Sequence, residues 1–76
     1  MKDLYIYHER FGKCRVIAFF KDMAILRLQN NYDKYVVTIG LSRKYNNWRR
    51  GFYYKSLNDA ISAFSCLLSD LYEVIV

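Results

Sequence analysis

Apolar and polar positions alternate along most of this chain, and the period lengthens to a helical one near the end. In residues 14–20, Val16, Ala18 and Phe20 fall on one side of an extended segment. Arg15, Ile17 and Phe19 fall on the other, as side chains do at a period of two. Residues 23–29 set Ala24, Leu26 and Leu28 against Ile25, Arg27 and Gln29. Residues 35–41 set Tyr35, Val37, Ile39 and Leu41 against Val36, Thr38 and Gly40. Residues 4–8 alternate more weakly, and residues 48–54 set Trp48, Arg50, Phe52 and Tyr54 against Arg49, Gly51 and Tyr53. Turn chemistry separates these runs: residues 9–13 around Gly12, the pair Lys21-Asp22, the polar residues 30–33, and residues 42–47.

The helical signal begins at Ser56. A serine followed three positions later by Asp59 predicts an N-cap of the S-x-x-D kind, and an acid in the first turn suits the helix dipole. Leu57, Ala60, Ile61, Phe64, Leu67, Leu68 and Leu71 then recur at spacings of three and four, which predicts one apolar stripe. Asn58, Ser62, Ser65, Ser69 and Asp70 would face water.

Hairpin-length turns imply antiparallel pairing. The expected fold is α+β: an antiparallel, twisted sheet of four or five strands, followed by one C-terminal helix packed on one face. The other face, with Arg, Tyr and Gln among its apolar residues, is expected to be partly solvated. Residues 73–76 are apolar enough to add an edge strand or pack beneath the sheet. At 76 residues, with no linker and no internal repeat, the expectation is a single domain over residues 1–76.

Composition changes this picture in two ways. Apolar residues make up 54% and aromatics 18% of so small a chain, so some aromatic surface is expected outside the core. The net charge of +5 is also unevenly placed. Residues 43–55 hold five bases and no acid, whereas residues 56–76 hold Asp59, Asp70 and Glu73 and no base. That polarity favours an oriented encounter with an anionic partner. Cys14 and Cys66 have no metal-type or redox spacing and are expected to be buried or half-buried thiols in a reducing cytoplasm. No secretory signal and no membrane-length apolar run is expected.

Candidate chemistry is concentrated in residues 43–55. Arg43, Lys44, Arg49, Arg50 and Lys55 are interleaved with Tyr45, Trp48 and Tyr53. Cations could neutralise phosphates while Tyr45, Trp48 and Tyr53 offer stacking planes, each worth roughly 1–3 kcal/mol per base. Gly51 would permit close approach of a ligand, and a bulge there would turn Arg50 outward. The competing reading is a strand whose Trp48, Phe52 and Tyr54 face the core, with Arg49 and Tyr53 outward. A second surface is expected from Tyr5, Tyr7, Phe11 and Phe19 with Arg10, Lys13 and Arg15, either extending the basic face or pairing two copies. The lone His8 beside Glu9 makes no base-and-orienter pair, and Asp3, Asp22, Asp33 and Asp70 are scattered. No enzyme, cofactor or metal is expected.

The run W-R-R-G-F-Y-Y-K-S-L-N-D-A-I-S-A-F over residues 48–64 resembles a pattern of small phage and mobile-element proteins. There a W-x-x-G-x-Y strand leads straight into an S-L-x-x-A-x-x-x-F helix. The strand-rich order ending in a helix also resembles single-stranded-DNA-binding coactivator folds in architecture. Size and composition are similar to those of small anti-CRISPR and other host-takeover proteins. That resemblance implies action by occupying a host nucleoprotein in the cytoplasm of a bacterial host. The expected function is therefore a non-enzymatic binding protein engaging nucleic acid or a nucleic-acid-handling host protein. The alternative is a protein-interaction or homodimerisation module without nucleic-acid binding. Neither requires a membrane or a small-molecule substrate.

Overall fold

The computed structural model describes residues 4–29 and 31–72; Asn30, expected in a turn, and residues 73–76, expected at a sheet edge or beneath it, lie outside them. Among the described residues, five strands precede one helix: β1 (Leu4–His8), β2 (Gly12–Phe20), β3 (Met23–Leu28), β4 (Tyr35–Ile39), β5 (Arg50–Tyr54) and α1 (Leu57–Leu71). The strands lie in sequence order in one sheet, and each neighbouring pair is antiparallel. The α+β architecture read from the periodicity is the observed one.

Each face of the sheet carries a buried cluster. On the helix face, Ile25, Val37 and Ala60 form a buried cluster, with Phe52, Tyr54, Leu57, Phe64 and Leu67 packed around it. On the opposite face, Ile6, Cys14, Ala24, Leu26, Leu28 and Val36 form a second, ringed by Phe11, Val16, Leu41 and Trp48. The second face is thus covered at its centre and solvated at its edge, where Leu4 and Phe19 are exposed. The cause is coiling of the sheet. Laid flat, β1 and β5 would stand about 19 Å apart across four strand spacings. Yet the ring of His8, ending β1, lies 4.4 Å from Trp48, just ahead of β5. Twist rolls the sheet into a hollow, and Leu41 and Trp48, from the segment between β4 and β5, pack into it. Each aliphatic side chain fully buried there contributes about 1.5–3 kcal/mol.

Two local features set which side chains fill the hollow. The β2–β3 register shifts between Val16 and Ala18, so Val16 packs into the hollow while Ala18 packs on the helix face. The expectation that Val16, Ala18 and Phe20 share a face fails at this bulge. Gly40 then adopts φ +73°, a left-handed turn that glycine takes without strain. The chain reverses there, so Leu41 leaves the face of Ile39 and joins the hollow.

The hydroxyl of Ser56 accepts the Asp59 N–H at 3.3 Å, as an N-cap does. The backbone N–H of Tyr72 closes the last turn on the Leu68 carbonyl. α1 rests on β3, β4 and β5. Its packed stripe is Leu57, Ala60, Ala63, Phe64 and Leu67. Ile61 and Leu71, expected in that stripe, are 44% and 52% exposed. A helix lying flat on three strands buries a narrow stripe, and these two positions fall on its flank.

Candidate binding surface

Residues 41–49 cross the mouth of the hollow as a strap, pinned at four points. The Leu41 N–H donates to the Asp22 carbonyl at 2.9 Å. Ser42 and Asn47 exchange backbone hydrogen bonds at 2.8 and 3.2 Å. Asn46, at φ 54°, turns its side-chain oxygen to accept the Tyr7 N–H of β1 at 3.2 Å; asparagine tolerates that left-handed geometry well. The Arg49 N–H donates to the Ile39 carbonyl at 3.1 Å. The strap thereby ties β1, one edge of the sheet, to the end of β4.

Trp48 is the plug of this strap. Its indole stacks on Phe11 at 5.9 Å and 10° and meets His8 at 4.4 Å. Phe11 also reaches Tyr53 at 5.8 Å. The expectation that Trp48 shares a face with Phe52 and Tyr54 is corrected: those two pack toward α1, and Trp48 packs into the hollow. β5 begins at Arg50, so residues 48 and 49 do not follow strand parity. Likewise Tyr53 does not face outward with Arg49 as a pair. It sits on the hollow side beside Phe11 and remains 40% exposed.

The cations of residues 43–55 are all exposed, but they point to several places. Arg43 lines the rim of an apolar cleft of about 120 Å³ with Leu4, Ile6, Val16, Phe19, Lys21 and Leu41. Lys44 lies over the ring of Tyr45 at 5.3 Å at the tip of the strap, where Tyr45 is 67% exposed. Arg49 packs its Cβ against Gly40. Arg50 pairs with Ile39 in unbroken register and lies over Phe52 at 5.3 Å on the helix face, so no bulge turns it away. Lys55, past the far end of β5, lies over Tyr32 at 4.3 Å. Lys44, Arg50 and Lys55 thus each lie over an aromatic ring, a contact worth about 0.5–1 kcal/mol at exposed sites. The eight candidate residues therefore form an outer girdle around the strap and β5, with the half-buried Trp48 as its anchor.

The second expected surface divides. Phe11 is absorbed into the hollow, and Phe19, 62% exposed, lines the cleft on that side. Tyr5 and Tyr7 remain on the helix side of β1, where α1 does not reach.

The nucleophile and base candidates have structural roles. Cys14 is fully buried, and its thiol donates to the Gly12 carbonyl at 3.4 Å. Burial pushes its pKa up, and a backbone hydrogen bond at His8 acts the other way. Cys66 is exposed on α1, which corrects the expectation that both thiols are buried or half-buried; both are free. The Nδ1 of His8 accepts the backbone N–H groups of Arg10 and Phe11 at 3.0 and 3.3 Å, which shapes the β1–β2 turn. Among the described residues no group of three His, Cys, Asp or Glu could hold a metal, and no helix is long and apolar enough to cross a membrane. No protein-family model, curated protein or solved structure matches the chain.

Proposed function

We propose that this protein binds nucleic acid through its basic-aromatic girdle and catalyses no reaction. The observation that carries the reading is the exposure of every base in residues 43–55, within a segment that contains no acid. Phosphates bound there would release counterions from the nucleic acid, the main source of affinity in such contacts. Tyr45 and Tyr53 supply exposed ring area beside those charges. Trp48 anchors the girdle from within and does not itself stack on a base. In a cell this mode suits a host-takeover protein that acts by occupying a nucleoprotein.

The test is the double variant Arg49→Glu with Arg50→Glu, read by fluorescence anisotropy of a labelled oligonucleotide. Both side chains are exposed, so the fold should survive. Binding should fall by at least an order of magnitude, about 1.4 kcal/mol. Unchanged binding by a folded double variant overturns the reading.

The apolar cleft favours a second reading, a protein partner. Phe19 and Leu4 at its edge are 62% and 38% exposed. An apolar interface of that kind would hold its affinity as salt rises, whereas phosphate binding would not.

A further inference from the structure

His8, the last residue of β1, stands where three segments meet. Its ring lies 5.1 Å from Phe11 in the β1–β2 turn and 4.4 Å from the indole of Trp48 on the strap. Its Nδ1 accepts the backbone N–H groups of Arg10 and Phe11 at 3.0 and 3.3 Å. A ring nitrogen accepts only through its lone pair, so these bonds require a neutral imidazole with its proton on Nε2. They set the turn that holds Phe11 stacked on Trp48 and 5.8 Å from Tyr53 on β5. Tyr7, one residue back, donates its N–H to Asn46 of the strap. The turn, the strap and β5 are thus tied together around one imidazole.

We infer that His8 is a pH-sensitive latch: neutral, it fastens the β1–β2 turn and, through Phe11, the strap; protonated at Nδ1, it releases them. The added proton takes up the lone pair and turns the nitrogen from acceptor to donor. The imidazolium then points a hydrogen at two backbone N–H groups, and both bonds break. The packed elements bring no compensating negative charge: β1, β2, the strap and β5 contain no acid. Their nearest ionisable groups in the chain are Lys13 and Cys14 on β2, Arg49 beside Trp48, and Tyr53 on β5. Cys14 keeps its thiol on the Gly12 carbonyl. In the turn itself, Arg10 lies over Phe11 at 5.4 Å, and Glu9 is exposed, where water and salt screen it. A cation is attracted to the face of an indole. The protonated ring therefore stays on Trp48 while residues 9–11 let go. The latch needs no nucleic acid to operate.

The test is NMR of the unaltered protein between about pH 8 and 5, the range over which histidine changes charge. At the upper end the ring nitrogens should report a bare Nδ1 and a proton on Nε2. On acidification the Arg10 and Phe11 amides should shift together with the ring. Their protection from hydrogen exchange should fall about 2- to 13-fold, as the loss of one hydrogen bond each predicts. Trp48 emission should move to longer wavelength over the same range as Phe11 leaves its face. His8→Asn puts an amide oxygen close to the place of Nδ1, an acceptor that does not titrate. It should abolish the acid response of both amides and of Trp48. A proton on Nδ1 at the upper end overturns the latch. So do amides that stay in place and protected while the ring titrates, and so does the same acid response in a folded His8→Asn variant. The unaltered protein alone decides the first two outcomes, whether or not the variant folds.

Discussion

The indole of Trp48 lies so close over Gly51 that a Cβ on residue 51 would stand 2.8 Å from its Nε1. The same Cβ would come within 3.0 Å of Val36 Cγ2 and 3.1 Å of the Tyr53 hydroxyl. Gly51 is therefore required by the packing of the plug, and not by a ligand approaching the strand.

Gly51→Ala should destabilise the protein by about 1–3 kcal/mol, as overpacking does. The side chain that must move is Trp48, the single tryptophan. Its emission should shift to longer wavelength as the ring leaves the hollow. Thermal unfolding followed by tryptophan fluorescence reads both effects. An unshifted spectrum and an unchanged midpoint would refute this packing.

Tyr72 fastens the end of the helix to the β2–β3 turn. Its hydroxyl donates to the Asp22 carboxylate at 2.6 Å, and its ring meets Phe20 edge-on at 5.5 Å. That hydrogen bond raises the phenol pKa above its ordinary value, and desolvation and the Asp22 charge act in the same direction. A folded-state pKa above the unfolded one gives stability that is complete below the ordinary tyrosine pKa of about 10. It is lost as pH rises through the folded value. Tyr72→Phe should therefore be less stable than the parent by a constant amount at neutral pH. The gap should close in strong alkali. Urea unfolding across that range checks the sign.

The two thiols should react very differently. Cys66 is exposed on α1, whereas Cys14 is buried with its pKa raised. Only the thiolate is nucleophilic, and burial suppresses it further. A disulfide reagent should label Cys66 at once and Cys14 only at the rate of unfolding. Rapid labelling of both would show that the hollow is open to water.

Ser56→Ala removes the hydroxyl that accepts the Asp59 N–H. The loss should be about 1 kcal/mol, with binding unaffected because Ser56 contributes no charge to the girdle. Ser56→Asp should recover most of the stability.

The strands and the helix start were legible because their signals are local. A period of two marks the strands, and S-x-x-D marks the cap. The alternation pointed to a partly solvated second face, although Met23–Leu28 and Tyr35–Ile39 are nearly unbroken apolar runs. The missing ingredient was what could cover the second face. The strap does so only because Gly40 reverses the chain and Asn46 reaches across to Tyr7, contacts made between segments far apart in sequence. The same long-range contacts explain Trp48. Parity assigned it to the face of Phe52, yet the ladder begins two residues later, at Arg50. The candidate cations were visible in composition, but their division between strap, helix face and far end follows from that geometry. The alignment of Tyr5, Arg15 and Arg27 in one cross-strand row follows from the β1–β2 and β2–β3 registers, which no local pattern specifies.

The central claim is that this surface binds nucleic acid. It is tested most directly by measuring the affinity of the unaltered protein for oligothymidylate while salt is raised from about 50 to 200 mM. The account predicts tight binding at low salt and a linear fall of log affinity against log salt, with a slope reporting several phosphates. No binding at the lowest salt, or an affinity indifferent to salt, would contradict it.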